Sequence, residues 1–467
     1  MKWIPVKHRK KITISGAGLV GSLLSVLLGK RGYEVTIVER RPDMRGVEAD
    51  SGRSINLALS SRGIVALTMA GLMDEVEKLL IPMRGRMLHL ENGRLEFMPY
   101  GQRPHEIIYS VSRRDLNALM MRSAEEADPV QIIFSQKLES IDWENSQLTL
   151  RDLFTDQVRQ QSFELLIGAD GAGSRTRRAL IPAVGGESTS EFLDHDYKEL
   201  EIPAGSPDAQ GNGTYQLEPE ALHIWPRGGY MLIALPNQGG SFTVTLFMPR
   251  TGENSFESLT DRGTLHDFFE RNFPTALKLI PDLESDFFEH SQGRLGTVRC
   301  APWFYQDKAL ILGDAAHAIV PFHGQGMNLG FEDCSELIRL LDLFDEDWAQ
   351  VLPEFDRIRR PNAHAIAEMA LENYVTMRSS VVEPKFQLKK ELGFELEKRF
   401  PDRFVPRYSM VMFHRIPYAE AFTRGERQQL ILNELVDGVN EMADVDFAKA
   451  TLMINQQLSV VDLESPV

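Results

Sequence analysis

A glycine-rich turn near the start of the chain constrains the fold most, in the stretch KITISGAGLVGSLLSVLLGKRGYEVTIVER. Gly16, Gly18 and Gly21 have the G-x-G-x-x-G spacing between a predicted strand and an apolar helix, and Glu39 ends the next predicted strand. Such glycines allow a tight turn, the helix N-terminus faces a pyrophosphate, and the acidic residue accepts hydrogen bonds from a ribose. The opening of the chain therefore predicts a strand-helix-strand unit that binds a dinucleotide.

A second turn of this kind is predicted in ALILGDAAHAIVPFHGQGMNLGFEDC, residues 309–334. Its first four residues read as a buried parallel strand, and helical spacing of apolar residues predicts a helix from about Asn328. Gly324 and Gly326 would let the backbone approach a ligand, whereas the Asp314 carboxylate would accept hydrogen bonds from hydroxyl groups. The turn suits a ligand with a polyol part and an electron-rich part. The alternative interpretation is an ordinary strand-to-helix connection that binds no ligand.

Composition narrows the class of protein. A chain of 467 residues can bury a large core in two or more lobes, and its net charge of −16 disfavours nucleic acid as a partner. Cys300 and Cys334 are the two cysteines, so neither a disulfide framework nor a thiol cluster is expected. The basic start and the apolar residues 12–29 resemble a signal peptide, but no small-residue cleavage site follows. We therefore predict a cytoplasmic protein without a membrane span.

The pattern along the chain predicts interleaved lobes. The fold expected is α/β, with a Rossmann-type nucleotide lobe formed by residues 1–185 and 291–343. Residues 186–290 alternate as strands do and would form a separate mixed sheet, to which residues 80–104 contribute a hairpin turning at Asn92 and Gly93. Helical periodicity predicts a C-terminal helical region over 344–467.

Three motifs along the chain resemble the three fingerprints of the FAD-dependent aromatic hydroxylases with the para-hydroxybenzoate hydroxylase fold. They are the glycine turn at Gly16–Gly21, Asp170-Gly171 and Gly313-Asp314. Within that family, GRSINLALSSRG, IPMRGRMLH, LHIWPRGGYMLIALPN and FTVTLFMP resemble the kynurenine-hydroxylating branch. The similarity covers nearly the whole chain. It departs at the C-terminus, where eukaryotic members carry a membrane-anchoring helix and this chain ends in LSVVDLESPV. The resemblance therefore implies a soluble, bacterial-type enzyme.

The resemblance implies the reaction as well. NADPH would reduce a noncovalently bound FAD, O2 would form a flavin hydroperoxide, and L-kynurenine would become 3-hydroxy-L-kynurenine, a step of tryptophan catabolism towards pyridine nucleotides. No catalytic side chain and no metal is required, and without a second dinucleotide motif NADPH would dock transiently. Two alternatives stay open: hydroxylation of another aromatic acid, and a non-catalytic flavoprotein that senses redox state. The sequence does not indicate the oligomeric state.

The resemblance also assigns residues to FAD. The turn at Gly313-Asp314, which is the third of these turns along the chain, would hold the ribityl chain and the flavin, and the start of its helix would stabilise the reduced, anionic flavin. The implied cofactor residues are Gly16, Gly18, Val20, Gly21, Glu39, Arg41, Ala58, Arg113, Leu138, Asp170, Arg175, Asp314, Gly324, Gly326, Met327 and Asn328.

The amino-acid end of the substrate would bind to a second implied set of residues. An arginine fork binds a carboxylate at two points, which favours Arg86, but Arg84 is two residues away on the same face of a regular strand. For His317 and His323 a packing role is favoured over a metal or acid–base role, because neither has ligand spacing to a third residue. The implied substrate residues are Arg86, Tyr100, Asn373 and Tyr408.

Overall fold

The computed structural model describes residues 9–46, 56–207, 213–379 and 383–463. Its strands are β1 (Ile12–Ser15), β2 (Val35–Val38), β3 (Asn56–Leu59), β4 (Ile81–Met83), β5 (Gly85–His89), β6 (Leu95–Pro99), β7 (Ile108–Ser112), β8 (Val130–Ile133), β9 (Gln136–Asp142), β10 (Gln147–Asp152), β11 (Val158–Ser162), β12 (Leu165–Gly168), β13 (Glu187–Ile202), β14 (Ala221–Pro226), β15 (Met231–Pro236), β16 (Phe242–Pro249), β17 (Gly293–Ala301), β18 (Phe304–Tyr305) and β19 (Ala309–Ile311). Its α-helices are α1 (Leu19–Lys30), α2 (Ser61–Met69), α3 (Met73–Val76), α4 (Arg113–Glu126), α5 (Arg175–Ala183), α6 (Arg262–Asn272), α7 (Pro274–Leu277), α8 (Leu283–Glu289), α9 (Asp314–His317), α10 (Gly326–Leu343), α11 (Trp348–Arg378), α12 (Pro384–Arg399), α13 (Arg407–Met412), α14 (Tyr418–Leu435) and α15 (Phe447–Gln457).

The nucleotide lobe is built on a six-stranded sheet in the order β18-β19-β12-β1-β2-β8. All neighbouring strands run parallel except β18, which pairs antiparallel with β19. The short apolar runs ITIS, LLIG and ALI are fully buried, as expected of strands covered on both faces. The predicted Rossmann-type architecture is confirmed, and the helix of the third turn begins at Gly326, two residues before the predicted start.

The second lobe is a seven-stranded sheet in the order β17-β13-β16-β15-β14-β5-β6. The predicted hairpin lies in this sheet as β5 and β6, and Gly93 in its turn has a φ of +83°. Strand β4, which is also within residues 80–104, pairs instead with β7 in a separate three-stranded sheet. Two expectations were wrong in detail. Strand β17 belongs here and not to the nucleotide lobe, because the 16-residue strand β13 is long enough to pair with both β16 and β17. Residues from 262 to 289 form helices α6 to α8, which pack their apolar residues against the sheet.

Helices make up the C-terminal region, as predicted. The 31-residue helix α11 crosses between the lobes and packs against α10 and α14. Helices α12, α14 and α15 share a small apolar core with Leu392, Phe404 and Ile431 at its centre. No helix in the described ranges is both long and apolar enough to cross a membrane.

Candidate active site

The first glycine turn connects β1 to α1, and packing explains two of its three glycines. A Cβ on Gly16, whose φ is +104°, would lie 2.6 Å from the Ala169 carbonyl oxygen, and one on Gly21 would lie 2.0 Å from the carbonyl oxygen of Gly16. A Cβ on Gly18 would meet no protein atom within 4 Å. Gly16 and Gly21 therefore allow the turn to form, and Gly18 leaves open space at the N-terminus of α1.

Glu39 stabilises the same turn. Its Oε2 accepts a hydrogen bond from the Ala17 amide at 2.7 Å, and its Oε1 accepts from the amide and Nε of Arg41, both at 2.9 Å. Burial raises the pKa of Glu39, but the hydrogen bonds and the charge of Arg41 outweigh it and bring the pKa below its ordinary value. The ionised carboxylate keeps a free lone pair on Oε2 for a ribose hydroxyl.

Asp170 fixes the second turn, at the end of β12. Its carboxylate accepts hydrogen bonds from the Ser174 hydroxyl at 2.5 Å and from the amides of Arg175 and Thr176 at 2.7 and 3.1 Å. These bonds satisfy amides in the first turn of α5, which have no partner within the helix. In this structure Asp170 therefore shapes the turn that a cofactor would contact.

The third turn follows β19. Gly313 has a φ of +58° and donates its amide to Asp333 Oδ2 at 2.9 Å, while a Cβ at this position would lie 3.1 Å from Val20. The next side chain, Asp314, is exposed at the carboxyl end of the strand. This position suits an acceptor for the hydroxyl groups of a ligand.

Helix α10 begins where the third turn ends, at Gly326. The buried Asn328 amide group ties the helix to β3: its Oδ1 accepts from the Ser60 amide at 2.9 Å, and its Nδ2 donates to the carbonyls of Ala58 and Gly324 at 2.8 and 2.9 Å. Asn328 thus positions backbone around the turn. The amides of the first helical turn point away from the helix and offer hydrogen bonds to an electron-rich ligand.

The remaining implied cofactor residues lie in different surroundings. Val20 packs beside Gly313, and Met327 is buried in the first turn of α10. Leu138 is a buried core residue of β9. Arg113 and Arg175 are exposed in the first turns of α4 and α5.

Sheet topology brings the three turns together. Strands β1, β12 and β19 are parallel neighbours, so the turns after them leave the same edge of the sheet. This is where open α/β sheets bind ligands. The space beside Gly18, the exposed carboxylate of Asp314 and the first-turn amides of α10 fit the pyrophosphate, the ribityl chain and the flavin ring of FAD.

Arg86 lies in a buried aromatic pocket on β5. Its side chain is 8% exposed, and the guanidinium carbon lies 5.6 Å from the Tyr100 ring centroid and 5.3 Å from that of Tyr408. The two tyrosine rings stack with centroids 5.5 Å apart. Burial raises the pKa of both hydroxyls, so they stay protonated. Nε of Arg86 is buried with no hydrogen-bond partner, which is costly unless a ligand supplies an acceptor.

Arg84 occupies a different environment. It precedes β5, is 52% exposed and forms an ion pair with Glu220 at 2.6 Å. An exposed arginine with its own carboxylate partner does not need a ligand. The structure therefore separates two arginines that strand alternation places on the same face.

The 3₁₀ turn at Pro321–His323 connects the pocket to the third glycine turn. Asn373 on α11 donates its Nδ2 to the Phe322 carbonyl at 2.6 Å, and the His323 ring stacks on Tyr408 with centroids 5.5 Å apart. Burial lowers the pKa of His323 to about 3, so the ring is neutral near pH 7. Arg86, Tyr100 and Tyr408 thus come together directly, and Asn373 joins them through the backbone of this turn.

His317 belongs to a buried ionic network that sequence reasoning missed. His317 Nε2 lies 2.5 Å from Asp333 Oδ2, and Arg359 contacts Asp333 Oδ1 at 2.7 Å and Glu332 at 2.6 Å. Arg62 also bonds Glu332 and lies over the ring of Tyr418, 3.9 Å from its centroid, so the network reaches from the third turn to α14.

Two adjacent acidic residues within the apolar helix α10 were the sequence signal for this network, because acidic side chains on a buried face need partners. Among the described residues, no group of three or more His, Cys, Asp or Glu side chains could hold a metal ion.

Comparison with known proteins agrees with this geometry. The family model described as FAD binding domain matches residues 9–370. A probable FAD-dependent monooxygenase, PqsL, from Pseudomonas aeruginosa superposes with a TM-score of 0.62 at 21% identity, covering 79% of this chain and 97% of that one. The p-nitrophenol 4-monooxygenase PnpA from Pseudomonas putida superposes with a TM-score of 0.63 at 17% identity, covering 83% and 93%. The fold and the family model define a protein with an FAD-binding domain.

Curated relatives are more similar in sequence. The kynurenine 3-monooxygenase of Myxococcus xanthus is 47% identical over 452 residues, covering 97% of this chain and 96% of the relative. That of Stenotrophomonas maltophilia is 44% identical over 453 residues, covering 97% and 98%. The chain belongs to the kynurenine 3-monooxygenase family of FAD-dependent aromatic hydroxylases.

Alanine substitutions in the first turn should separate cofactor binding from folding. Gly18→Ala is expected to weaken FAD binding about tenfold, ~1.4 kcal/mol, because its Cβ enters the space left for the cofactor. The free energy of unfolding of cofactor-free Gly18→Ala should differ from that of the cofactor-free parent protein by less than about 1 kcal/mol. Gly21→Ala should lower that free energy by about 1–3 kcal/mol, since its Cβ collides with backbone. Fluorescence titration of FAD and urea unfolding of both cofactor-free variants measure this; normal FAD affinity of Gly18→Ala would contradict it.

Proposed function

We propose that this protein hydroxylates L-kynurenine to 3-hydroxy-L-kynurenine with FAD, NADPH and O2. The proposal is supported chiefly by the buried Arg86, whose Nε has no partner and whose aromatic pocket adjoins the third glycine turn. An arginine fork in such a pocket binds a carboxylate by two charge-assisted hydrogen bonds. The names of the curated relatives supply kynurenine as the molecule that carries the carboxylate.

FAD, when reduced by NADPH, supplies the activated oxygen. The chain's own residues have to position the substrate ring and keep water away from it. Arg86 would hold the carboxylate, and the hydroxyls of Tyr100 and Tyr408 would hydrogen-bond the same end of the substrate. Asn373 would act through the Phe322 carbonyl that it holds at 2.6 Å, so that the turn at Pro321–His323 forms the wall between the amino-acid end and the flavin.

No protein nucleophile is needed, because the amine on the kynurenine ring already activates the carbon beside it. His323 is neutral near pH 7, and the rings of Phe322 and Tyr374 stack with centroids 3.9 Å apart behind it. These side chains would shield the reacting carbon from water. We also propose that the protein acts in the cytoplasm, which the two free, buried cysteines support.

Substrate-dependent coupling tests the proposed function. With kynurenine we expect about one 3-hydroxykynurenine for each NADPH consumed, because the amino-acid end fixes the ring in place. Para-hydroxybenzoate lacks that end, so it should give little turnover or mostly hydrogen peroxide. NADPH loss, hydroxylated product and peroxide are measured together for both compounds.

The alternatives give different results in that experiment. Efficient hydroxylation of para-hydroxybenzoate with kynurenine inert would make this protein a hydroxylase of another aromatic acid. Reduction of FAD by NADPH that neither compound accelerates would favour a redox-sensing flavoprotein.

A further inference from the structure

Lys390 on α12 contacts the chain segment that leads into the Arg86 pocket. Its Nζ donates to the Pro99 carbonyl at 2.9 Å and lies 5.5 Å from the ring centroid of Phe394. Pro99 pairs with Gly85 in the β5–β6 ladder and directly precedes Tyr100. The ammonium group is therefore held at the end of β6, next to Tyr100 and across the ladder from the strand that carries Arg86, although sequence reasoning gave it no role.

Arg86 and Lys390 are two cations on neighbouring segments. Among the described residues, neither is within ion-pair distance of a carboxylate, and Arg86 is the charged group that acts on Lys390. Burial, together with repulsion from Arg86, lowers the pKa of Lys390 to about 7. An anion bound near these two cations would offset their repulsion and could accept a hydrogen bond from the buried, unpaired Nε of Arg86.

Nearby carboxylates are already occupied. Glu106 and Glu397, both buried, bind Arg103, and Glu397 also accepts from Gln102 Nε2 at 2.7 Å. Glu372 on α11 pairs instead with Arg407 at 2.6 Å. None of these three carboxylates is therefore available to neutralise Arg86 and Lys390, so a neutralising anion would have to be a bound ligand.

We propose that Lys390 is a second cation for the substrate carboxylate and makes the site selective for substrates that carry one. This inference rests on the proposed function, since it takes kynurenine as the anion. Arg86 provides a planar fork and Lys390 a point charge, so a carboxylate between them removes their mutual repulsion. A substrate without the carboxylate leaves that repulsion in place and gains nothing from Lys390.

The proposal predicts how kynurenine affinity depends on pH. A bound carboxylate favours the protonated form of Lys390, so its pKa is higher in the complex than in the free enzyme. Affinity should therefore be constant below pH 7 and fall as the pH rises above 7. The two tyrosines and the histidine around Arg86 do not change charge in this range. Burial raises the pKa values of Tyr100 and Tyr408 above their ordinary value and lowers the pKa of His323 to about 3.

Three variants of the FAD-loaded enzyme test this assignment: Lys390→Met, Lys390→Arg, and Lys385→Met as a control at an exposed position of the same helix. The dissociation constant is measured from the change in FAD absorbance at pH 6.5 and 8.5. The ligands are kynurenine and kynuramine, which is kynurenine without its carboxylate. We expect Lys390→Met to weaken kynurenine binding about 5- to 20-fold at pH 6.5 and to abolish the pH dependence. Kynuramine binding should change less than about twofold, because the lost charge has no partner on it.

The other variants complete the design. Lys390→Arg should bind kynurenine tightly at both pH values, because an arginine stays charged, and Lys385→Met should match the parent enzyme. Equal weakening of both ligands in Lys390→Met would show a packing role and overturn the proposal, as would unchanged kynurenine binding. If the parent enzyme neither binds nor turns over kynurenine, the proposed function itself fails. If it does both and Lys390→Met behaves normally, only the inference about Lys390 fails.

Discussion

Replacing Arg86 with alanine is expected to weaken kynurenine binding 10- to 100-fold, about 1.5–3 kcal/mol for hydrogen bonds to a charged group. The loss arises because Arg86 is the buried fork of the pocket and its Nε has no protein partner. FAD content should stay near normal, since Arg86 lies in the seven-stranded sheet and the glycine turns leave the six-stranded one. Kynurenine titration of the FAD-loaded variant gives the dissociation constant, and its absorbance spectrum gives the FAD content.

Arg84→Ala is the matched control, two residues away on the same chain segment. Arg84 is half exposed and pairs with Glu220, and such surface pairs contribute about 0–1 kcal/mol. Kynurenine binding should therefore change less than about threefold in this variant. A large loss in Arg84→Ala with normal binding in Arg86→Ala would show that the carboxylate site is assigned to the wrong arginine.

Replacing Arg359 with methionine is expected to lower the free energy of unfolding by about 3–5 kcal/mol. Arg359 is 4% exposed and contacts two adjacent carboxylates, Glu332 and Asp333, at 2.6 and 2.7 Å. Its removal leaves the buried Asp333 and the partly buried Glu332 with His317 and Arg62 as their remaining partners. Urea unfolding, followed by circular dichroism, measures the change.

Arg357→Met on the same helix serves as the comparison. Arg357 is 70% exposed and pairs with Glu354 one turn away, so the cost should stay below about 1 kcal/mol. A similar small cost for Arg359→Met would mean that the buried network does not support the fold.

Local sequence patterns were enough to predict the nucleotide lobe. Glycine spacing, short apolar strands and a following helix are set by neighbouring residues, so the sequence alone assigns Gly16, Gly18 and Gly21 to a strand-to-helix turn. The pairing of β17 could not be predicted from the sequence. Its partner β13 lies about a hundred residues earlier, and nothing in the residues of β17 selects that partner.

The substrate pocket shows the same limit more sharply. Alternation along a strand could not distinguish Arg84 from Arg86, because the difference is a partner on another segment, Glu220. Lys390 resembles any lysine on the surface of a helix, and its link to the Arg86 pocket arises only because α12 contacts the end of β6 at Pro99. The roles of the substrate and cofactor residues stay predictions that the variants above can test.

The sixteen consecutive residues from Gly313 to Asn328 contain three features: the third glycine turn, the turn at Pro321–His323 that forms the proposed wall of the substrate pocket, and the start of α10. Mutations that reshape this wall are therefore also expected to disturb the backbone that we propose contacts the flavin. Directed evolution towards new substrates should progress more readily from Arg86, Tyr408 and Lys390, which belong to other elements. Libraries confined to the residues from Gly313 to Asn328 should instead yield many colourless proteins that have lost FAD.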